Sequence, residues 1–123
     1  MYGILHVSFI VADIKCALRF YCDVLGLEIN HHRPDLGYPG VWLDCGGGQQ
    51  IHLLELPNPD PVTGRPAHGG RDRHAAFAID KLDVLSTALE AAGIKITRSK
   101  SGRQALFCRD PDGNTLEFVE VTA

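Results

Sequence analysis

Two stretches decide the fold: ILHVSFIVADIKCALRFYCDVLGLEI at residues 4–29 and DRHAAFAIDKLDVLSTALEAAGIKI at residues 72–96. Each places a histidine about twenty residues before a glycine, with an apolar strand, an aspartate and an amphipathic run between them. Internal similarity with a period near 67 residues, the spacing of Gly26 and Gly93, is too long for a solenoid repeat. The sequence therefore predicts a duplicated half-domain.

The first copy begins with a strand over residues 4–12. Polar and apolar residues alternate there, which is typical of a strand with one buried face. Asp13 is placed to cap a helix whose apolar residues recur at i, i+3, i+4 and i+7, and Gly26 supplies the left-handed residue that ends it. The pattern predicts a strand followed by an amphipathic helix.

The second copy repeats this order. A strand around His74 is followed by Asp80 as the expected helix cap and by Gly93 as the helix end. After each helix we expect a short strand and then two strands joined by a turn, because Gly46-Gly47-Gly48 and Asp110-Pro111-Asp112-Gly113 have the composition of tight hairpins. No phosphate-loop motif accompanies the glycine triplet, so we interpret it as a turn.

The chain is thus predicted to be α+β, with the order βαβββ twice. We place the first module at residues 1–56, the second at 73–123, and a linker at 57–72 whose proline and glycine content excludes a helix or a central strand. At 123 residues the two modules are expected to form a single domain.

The composition argues against two kinds of partner. With 45% apolar and 22% charged residues and a net charge of −3, the chain gives no reason to expect nucleic acid or an anionic membrane as partner. No signal peptide or spanning apolar run is visible, so we expect a cytoplasmic protein with reduced thiols. The cysteines have no metal spacing and are interpreted as small core residues: Cys16, Cys22, Cys45 and Cys108.

Positive charge is concentrated in one part of the chain. Residues 65–109 hold nine Lys or Arg against four Asp or Glu, and both flanks are acidic. One interpretation is that these basic residues form a solvated surface. The other is that some of them bind an anionic substrate. The second would place the anion near Arg71, Arg73, Arg98, Lys100 or Arg103.

Histidine recurs on one strand face in both copies. The bulky residues of each first strand should pack under the helix, which leaves His6 and His74 on the opposite, more polar face. Aligning QIHLLEL (residues 50–56) with TLEFVEV (residues 115–121) then sets His52 opposite Glu117. Each half would offer one pair of ligands to zinc, iron, nickel, cobalt or manganese. A single strand histidine is more often a pocket wall, so the prediction depends on the set of four.

These motifs resemble the vicinal oxygen chelate superfamily, which includes glyoxalase I, bleomycin and fosfomycin resistance proteins and extradiol dioxygenases. The resemblance is carried by LHVSFIVADIKCALRFYCDVLGLEI, by RHAAFAI and above all by FCRDPDGNTLEFVEV, at residues 5–29, 73–79 and 107–121. It implies two βαβββ modules that form a cupped, incomplete barrel around a divalent metal, usually in a homodimer.

The resemblance also implies site residues and a kind of chemistry. The metal ligands fall on His6, His52, His74 and Glu117, and the substrate is a small molecule that chelates the metal through two adjacent oxygens. The metal would be Zn, Ni, Co, Mn or Fe. Glu117 would be the proton-transfer base, and His52 is either a ligand or an acid/base group.

Three activities remain open. A glyoxalase I-like lyase or isomerase is the leading hypothesis, although such relatives usually carry Glu or Gln at the position of His52. An Fe(II) extradiol dioxygenase would bind iron through His6, His74 and Glu117 and leave His52 free, but Phe107 stands where those enzymes use a tyrosine. A metal-free binding protein of the bleomycin-resistance type is the third. His31, His32 and His68 are expected at the surface or rim, and Tyr38 and Trp42 are possible pocket walls.

Overall fold

The computed structural model describes residues 1–122 and divides into two compact units, one from Met1 to Asp60 and one from Pro61 onward. Within the described residues, no helix combines the length and the apolar character needed to cross a membrane.

The first half contains one four-stranded sheet and one helical segment. In the sheet order β1-β4-β3-β2, β1 runs parallel to β4 and the other neighbours are antiparallel. Its elements are β1 (His6–Val11), α1 (Ile14–Leu18), a π-helix (Arg19–Val24), β2 (Glu28–Asn30), β3 (Gly40–Gly46) and β4 (Gln49–Glu55).

The second half has the same topology. Its sheet order is β5-β8-β7-β6, again with only the first pair parallel. The predicted α+β fold with two βαβββ modules is confirmed. The elements are a 3-10 turn (Gly69–Arg71), β5 (His74–Ile79), α2 (Leu82–Ala91), β6 (Thr97–Arg98), β7 (Ala105–Arg109) and β8 (Thr115–Glu120).

The strand registers of the two halves are equivalent. Ser8 of β1 pairs with His52 of β4, and Ala76 of β5 pairs with Glu117 of β8. The alignment of His52 with Glu117 is therefore correct. Because side chains alternate along a strand, His6 shares a face with His52, and His74 shares a face with Glu117.

The opposite face of each sheet builds the core. In the first half Leu43, Ile51 and Leu53 are almost completely buried, and in the second Leu106 and Leu116 are fully buried. The helices pack on these faces, α1 against β4 and α2 against β8. Apolar burial of this kind is the main stabilising contribution to such a fold.

A glutamate at the end of the last strand caps the helix in each half. The N–H of Ile14 donates to Oε1 of Glu55 at 3.1 Å, and the N–H of Leu82 donates to Oε1 of Glu120 at 3.0 Å. Asp13 also caps α1, as predicted, by accepting from the N–H of Lys15 at 2.8 Å.

The prediction that Asp80 caps α2 is wrong. The N-cap position is Lys81, whose side chain makes no capping hydrogen bond. Glu120 satisfies the first N–H of the helix instead, through a contact that lies 38 residues away in sequence. A local cap motif could not reveal this partner.

The first helical segment also departs from the regular α-helix that the spacing predicts. After Leu18 the chain widens into a π-helix, in which the adjacent rings of Phe20 and Tyr21 are both buried and meet edge to face at 4.9 Å. The wider turn lets two consecutive large side chains face inward. Gly26, with φ of 77°, ends the segment as predicted.

The cysteines are only partly core residues. Cys108 is buried, whereas the other three are half-buried. No disulfide forms. Burial, with a further contribution from Asp110, raises the pKa of the Cys108 thiol to about 12, so this thiol stays protonated at neutral pH.

Candidate functional site

The second half brings His74 and Glu117 together. Nε2 of His74 lies 3.3 Å from Oε1 of Glu117. The Glu117 side chain is 4% exposed and that of His74 is 26% exposed, so a buried carboxylate faces a more open imidazole. Both residues lie where the strand pattern predicts them.

The backbone fixes the orientation of the His74 ring. Nδ1 of His74 lies 2.8 Å from the carbonyl oxygen of Asp72. Because a carbonyl only accepts, Nδ1 carries the proton, and in a neutral ring Nε2 then has the free lone pair. This arrangement is typical of a metal-ligating histidine.

Two arginines hold Asp72 in place. Its carboxylate accepts from Arg65 at 2.6 and 2.9 Å and from Arg109 at 2.8 Å. Hydrogen bonds from Arg65, and after them those from Arg109 and the Arg73 backbone, hold the pKa of the Asp72 carboxyl well below its usual range although burial opposes them. Ion pairs with Arg65 and Arg109 therefore hold in place the residue whose carbonyl orients His74.

Arg103 binds the other oxygen of Glu117. Its Nη2 donates to Oε2 at 3.2 Å, and its side chain is 60% exposed. The buried charge of Glu117 is thus paired with the guanidinium through Oε2, while Oε1 faces the ring of His74. A buried carboxylate needs such partners, since leaving it unpaired would be costly.

The pair of His74 and Glu117 fits a divalent metal. Nitrogen and carboxylate ligands of a first-row ion lie at about 2.0–2.2 Å from it, so two neighbouring ligand atoms are about 3.0–3.4 Å apart. The 3.3 Å between Nε2 and Oε1 falls in this range. The donor set, the tautomer and the spacing all agree with that use.

In the first half, His6 and His52 stack instead of pointing at a common centre. Their ring centroids are 3.8 Å apart with 13° between the planes. Trp42 lies against His52 at 4.4 Å and 7°. Because imidazole lone pairs lie in the ring plane, two nearly parallel rings would have to turn before both could bind one ion.

His52 is further occupied by a side-chain contact. Its Nε2 lies 2.9 Å from Oε1 of Gln50. Burial, followed by the neighbouring His6 and Arg33, lowers the pKa of His52, which favours the neutral ring that metal ligation requires.

Each half contributes two of the four predicted ligands. Neither half by itself, within residues 1–122, gathers three His, Cys, Asp or Glu side chains into a metal-binding group. The sharing of one ion by His6, His52, His74 and Glu117 stays a prediction.

A cavity of about 390 Å³ opens beside His74 and Glu117 in the second half. Its size is within the range of about 300–1,000 Å³ that is usual for small-molecule sites. The lining combines one carboxylate with several cationic and hydroxyl side chains: His68, Gly70, Arg71, His74, Ser99, Lys100, Ser101, Arg103, Phe107 and Glu117.

Two lining residues have fixed structural roles. Phe107 pairs with Glu117 across the strands and sets its ring edge to face with His74 at 5.1 Å. His68, expected only at a surface or rim, caps the 3-10 turn through Nδ1, which accepts from the N–H of Gly70 at 3.0 Å. Its Nε2 lies 2.9 Å from the carbonyl oxygen of Arg98, so both ring nitrogens are used.

The remaining candidates lie elsewhere. His31 and His32 are exposed, as expected. Arg98 donates to Ser86 at 3.2 Å and does not line the cavity, in contrast to Arg71, Lys100 and Arg103. Tyr38 packs under the guanidinium of Arg33 at 5.1 Å.

Known proteins are similar to this chain in sequence and in fold. A profile of the Glyoxalase/Bleomycin resistance protein/Dioxygenase superfamily matches residues 3–118. Glyoxylase I 4 of Arabidopsis thaliana is 36% identical over 119 residues, which span 92% of this chain and 67% of that protein. Lactoylglutathione lyase of Haemophilus influenzae is 31% identical over 124 residues, which span 95% and 91%.

A solved structure agrees with these matches. The crystal structure of a glyoxalase family protein from Bacillus anthracis has a TM-score of 0.81 and 27% identity, and the similarity covers 99% of this chain and 97% of that one. The chain therefore belongs to the glyoxalase/bleomycin resistance protein/dioxygenase superfamily, as its motifs predicted.

Proposed function

We propose that this chain is a metal-dependent lyase or isomerase of the glyoxalase I type. The observation that carries the proposal is the buried carboxylate of Glu117 3.3 Å from Nε2 of His74 beside a small-molecule cavity. The relatives named Glyoxylase I 4 and Lactoylglutathione lyase support the same reaction class.

The ligands of the metal would be His74 and Glu117, together with His6 and His52. A bound divalent ion would polarise two adjacent oxygens of the substrate and make the C–H bond of the carbon that bears sulfur more acidic. The choice among Zn, Ni, Co, Mn and Fe is set by ligand type and availability, and imidazole with carboxylate suits several of them.

Glu117 would move the proton. In a hemithioacetal of an α-oxoaldehyde, its carboxylate would take the proton from the carbon that bears sulfur and return it to the neighbouring carbonyl carbon. The hydroxyl proton of the first carbon would pass to the oxygen of the second, which yields a hydroxythioester with no atom gained or lost. Arg103 holds Oε2 of this carboxylate by a hydrogen bond at 3.2 Å. Phe107 forms an apolar part of the cavity wall beside Glu117.

A metal-free binding protein is the second candidate. It is favoured by the ion pair of Glu117 with Arg103 at 3.2 Å, which already gives the carboxylate a cationic partner. The cavity beside this ion pair has the size to bind an organic ligand directly. The dioxygenase alternative has less support, because Phe107 offers no hydroxyl beside Glu117.

We also propose that the protein is a homodimer. The outer strands β1 and β2 of the first sheet, like β5 and β6 of the second, each have one neighbour in their sheet. Strand edges of this kind are commonly covered by association, and a two-fold dimer is the commonest form. Light scattering at micromolar concentration would contradict the proposal if it gave the mass of a monomer.

The decisive experiment combines metal analysis with turnover. Protein purified without a histidine tag should contain a divalent metal and should convert methylglyoxal in the presence of a thiol. His74→Gln should lose both properties, whereas the exposed His31→Gln should keep them. If the protein neither binds metal nor turns over any thiol adduct, the proposal of a metal-dependent enzyme is contradicted and a metal-free binding protein is favoured.

A further inference from the structure

We propose that Gln50 is a positioning residue that binds the Nε2–H of His52, so that His52 acts in the site through the lone pair of its other ring nitrogen, Nδ1. The inference rests on the proposed function, because it names the nitrogen that His52 would offer to the metal or to a proton of the substrate. It adds Gln50 and Asp44 to the residues of the site, and neither was among the candidates that the sequence indicated.

The orientation of the Gln50 amide is set by a carboxylate. Nε2 of Gln50 donates to Oδ1 of Asp44 at 3.3 Å. Because an ionised carboxylate only accepts, the NH2 end of the amide must face Asp44. The oxygen end then faces His52, whose Nε2 lies 2.9 Å from Oε1 of Gln50. The charge of Asp44 therefore decides which end of the amide His52 meets.

The amide oxygen in turn sets the tautomer of His52. An amide oxygen only accepts, so Nε2 of His52 carries the proton. A neutral imidazole has a single N–H, which leaves the lone pair on Nδ1. Within residues 1–122, Nδ1 of His52 has no hydrogen-bond partner. His52 thus offers an acceptor that the fold does not use.

A second amide agrees with this direction of donation. The N–H of His32 donates to Oδ1 of Asn30 at 3.0 Å, which leaves Nδ2 of Asn30 to donate to Oδ1 of Asp44 at 3.1 Å. One carboxylate oxygen therefore accepts from two amides, those of Asn30 and Gln50. Each donor in the series has an acceptor, so neither amide has a reason to reverse.

The strand register brings these side chains together. Between β3 and β4, Asp44 pairs with Gln50 and Trp42 pairs with His52. Residues two apart along a strand lie on the same face of a sheet, so all four side chains share one face. The contact between Gln50 and His52 thus follows from the backbone pairing.

Two aromatic neighbours hold the plane of the His52 ring. His6 comes from β1 and Trp42 from β3, the strands on either side of β4. The planes of these rings make angles of 13° and 7° with the plane of His52. A half-turn of the imidazole would keep this plane but would move Nε2 away from Gln50. The stacking therefore fixes the plane, and Gln50 fixes the direction in which each nitrogen points.

The two site histidines consequently present opposite nitrogens. His74 uses Nδ1 to bind the carbonyl of Asp72, which leaves Nε2 free. His52 uses Nε2 to bind Gln50, which leaves Nδ1 free. For His52 to act through Nε2, the contact with Gln50 would have to break and the ring would have to change its tautomer. Acting through Nδ1 needs neither change, and a neutral imidazole can bind a metal through either nitrogen.

The first test is an NMR measurement on the metal-free protein. At a pH of about 8, above the reference histidine pKa of about 6.5, the rings are neutral. Long-range ¹H–¹⁵N spectra distinguish a protonated ring nitrogen from one with a lone pair, and His52→Gln assigns the signals. His52 should carry its proton on Nε2. A proton on Nδ1 would overturn the proposal.

Variants show whether Gln50 is the cause. Gln50→Met keeps the length of the side chain but removes the acceptor, so the ratio of the Nε2–H form to the Nδ1–H form should fall by roughly three- to tenfold. Asp44→Asn should lower the ratio in the same direction but less, because an amide can meet either end of Gln50. The control is Gln49→Met, whose side chain donates to the carbonyl of Ile4 and should not affect His52.

The same spectra report whether each variant is folded, and if Gln50→Met is not, Asp44→Asn decides. A ratio that is unchanged in the folded variant that decides would overturn the proposal.

A titration with Zn²⁺ alone separates this inference from the proposed function. His52 should keep its proton on Nε2 when zinc is added, whether Nδ1 binds the ion or remains a free base. Movement of the proton to Nδ1 would show that Nε2 is the ligand and would overturn the proposal. If no histidine signal responds to zinc, the metal of the proposed function is contradicted, while the metal-free spectra still decide the role of Gln50.

Discussion

His52 and Glu117 occupy the same position in the two sheets. His52 pairs with Ser8 of the first strand and with Trp42 of the third, and Glu117 pairs with Ala76 and Phe107 in the same way. The duplication has kept an aromatic ring beside each ligand-type residue. It has also exchanged an imidazole for a carboxylate, which places the anionic group beside the cavity of the second half.

Replacing Glu117 by Gln should separate an enzyme from a binding protein. The change keeps the side-chain shape but removes the negative charge and the basic oxygen, so turnover should fall by ~100-fold or more. Metal content should fall as well, because an amide is a weaker ligand. Both are measured beside the melting temperature, with Glu90→Gln on the exposed face of α2 as control. A folded variant that keeps its metal and its activity would contradict the metalloenzyme.

The lowered pKa of His52 should make the free energy of unfolding depend on pH in mild acid. Its pKa is lowered in the folded protein, so between that value and about 6.5 the unfolded chain binds a proton that the folded chain does not. The free energy of unfolding should therefore decrease as pH falls below about 6.5, and His52→Gln should remove part of that decrease. Denaturant unfolding at several pH values measures it. An NMR titration of the His52 ring at or above the reference pKa would contradict the argument.

Asp72 should matter most at neutral pH. Asp72→Asn weakens the contacts with Arg65 and Arg109, and we expect a loss of ~2 kcal/mol in the free energy of unfolding. Because the folded pKa is depressed, this stabilisation is present above the unfolded pKa of about 3.9 and is lost as pH falls further. The difference between variant and wild type should thus shrink in acid.

The control for Asp72→Asn is the exposed Asp23→Asn, which should change the free energy of unfolding by about 0.5 kcal/mol or less. A difference between Asp72→Asn and wild type that stays constant down to strongly acidic pH would show that the Asp72 charge is not the source of the stability.

The two helix-capping glutamates should differ in their effects. Glu120→Ala removes the one side-chain contact to the first N–H of α2 and should cost ~1 kcal/mol. Glu55→Ala should cost less, since Asp13 still caps α1. Thermal or urea unfolding of both variants gives the comparison. Equal losses would mean that the contribution of Asp13 is negligible.

The repeated architecture could be predicted because its signals are local. Alternation along β1 and β5, the helical spacing after them and the glycines at 26 and 93 each depend on neighbouring residues. Strand alternation also predicts which side chains share a face, so the pairs His6 with His52 and His74 with Glu117 follow from the sequence.

The rest depends on contacts between distant residues. The cap of α2 comes from Glu120, whereas the sequence indicated Asp80. The hold of Arg103 on Glu117 requires the loop after β6 to return to β8, which no local pattern shows. Basic residues between 65 and 109 were a visible signal of the cavity, but only the structure separates Arg98 from those that line it.

The segment between the modules does more than connect them. The unit boundary lies after Asp60, so residues 61–72 belong to the second half. There the carboxylate of Asp72 is anchored to Arg65 of the same segment, and its carbonyl orients His74. A change in loop length after Arg65 would therefore change the orientation of the His74 ring. A change before Pro61 would leave that orientation unchanged. The length of this loop can therefore set the orientation of His74 while His74 and Glu117 themselves stay unchanged.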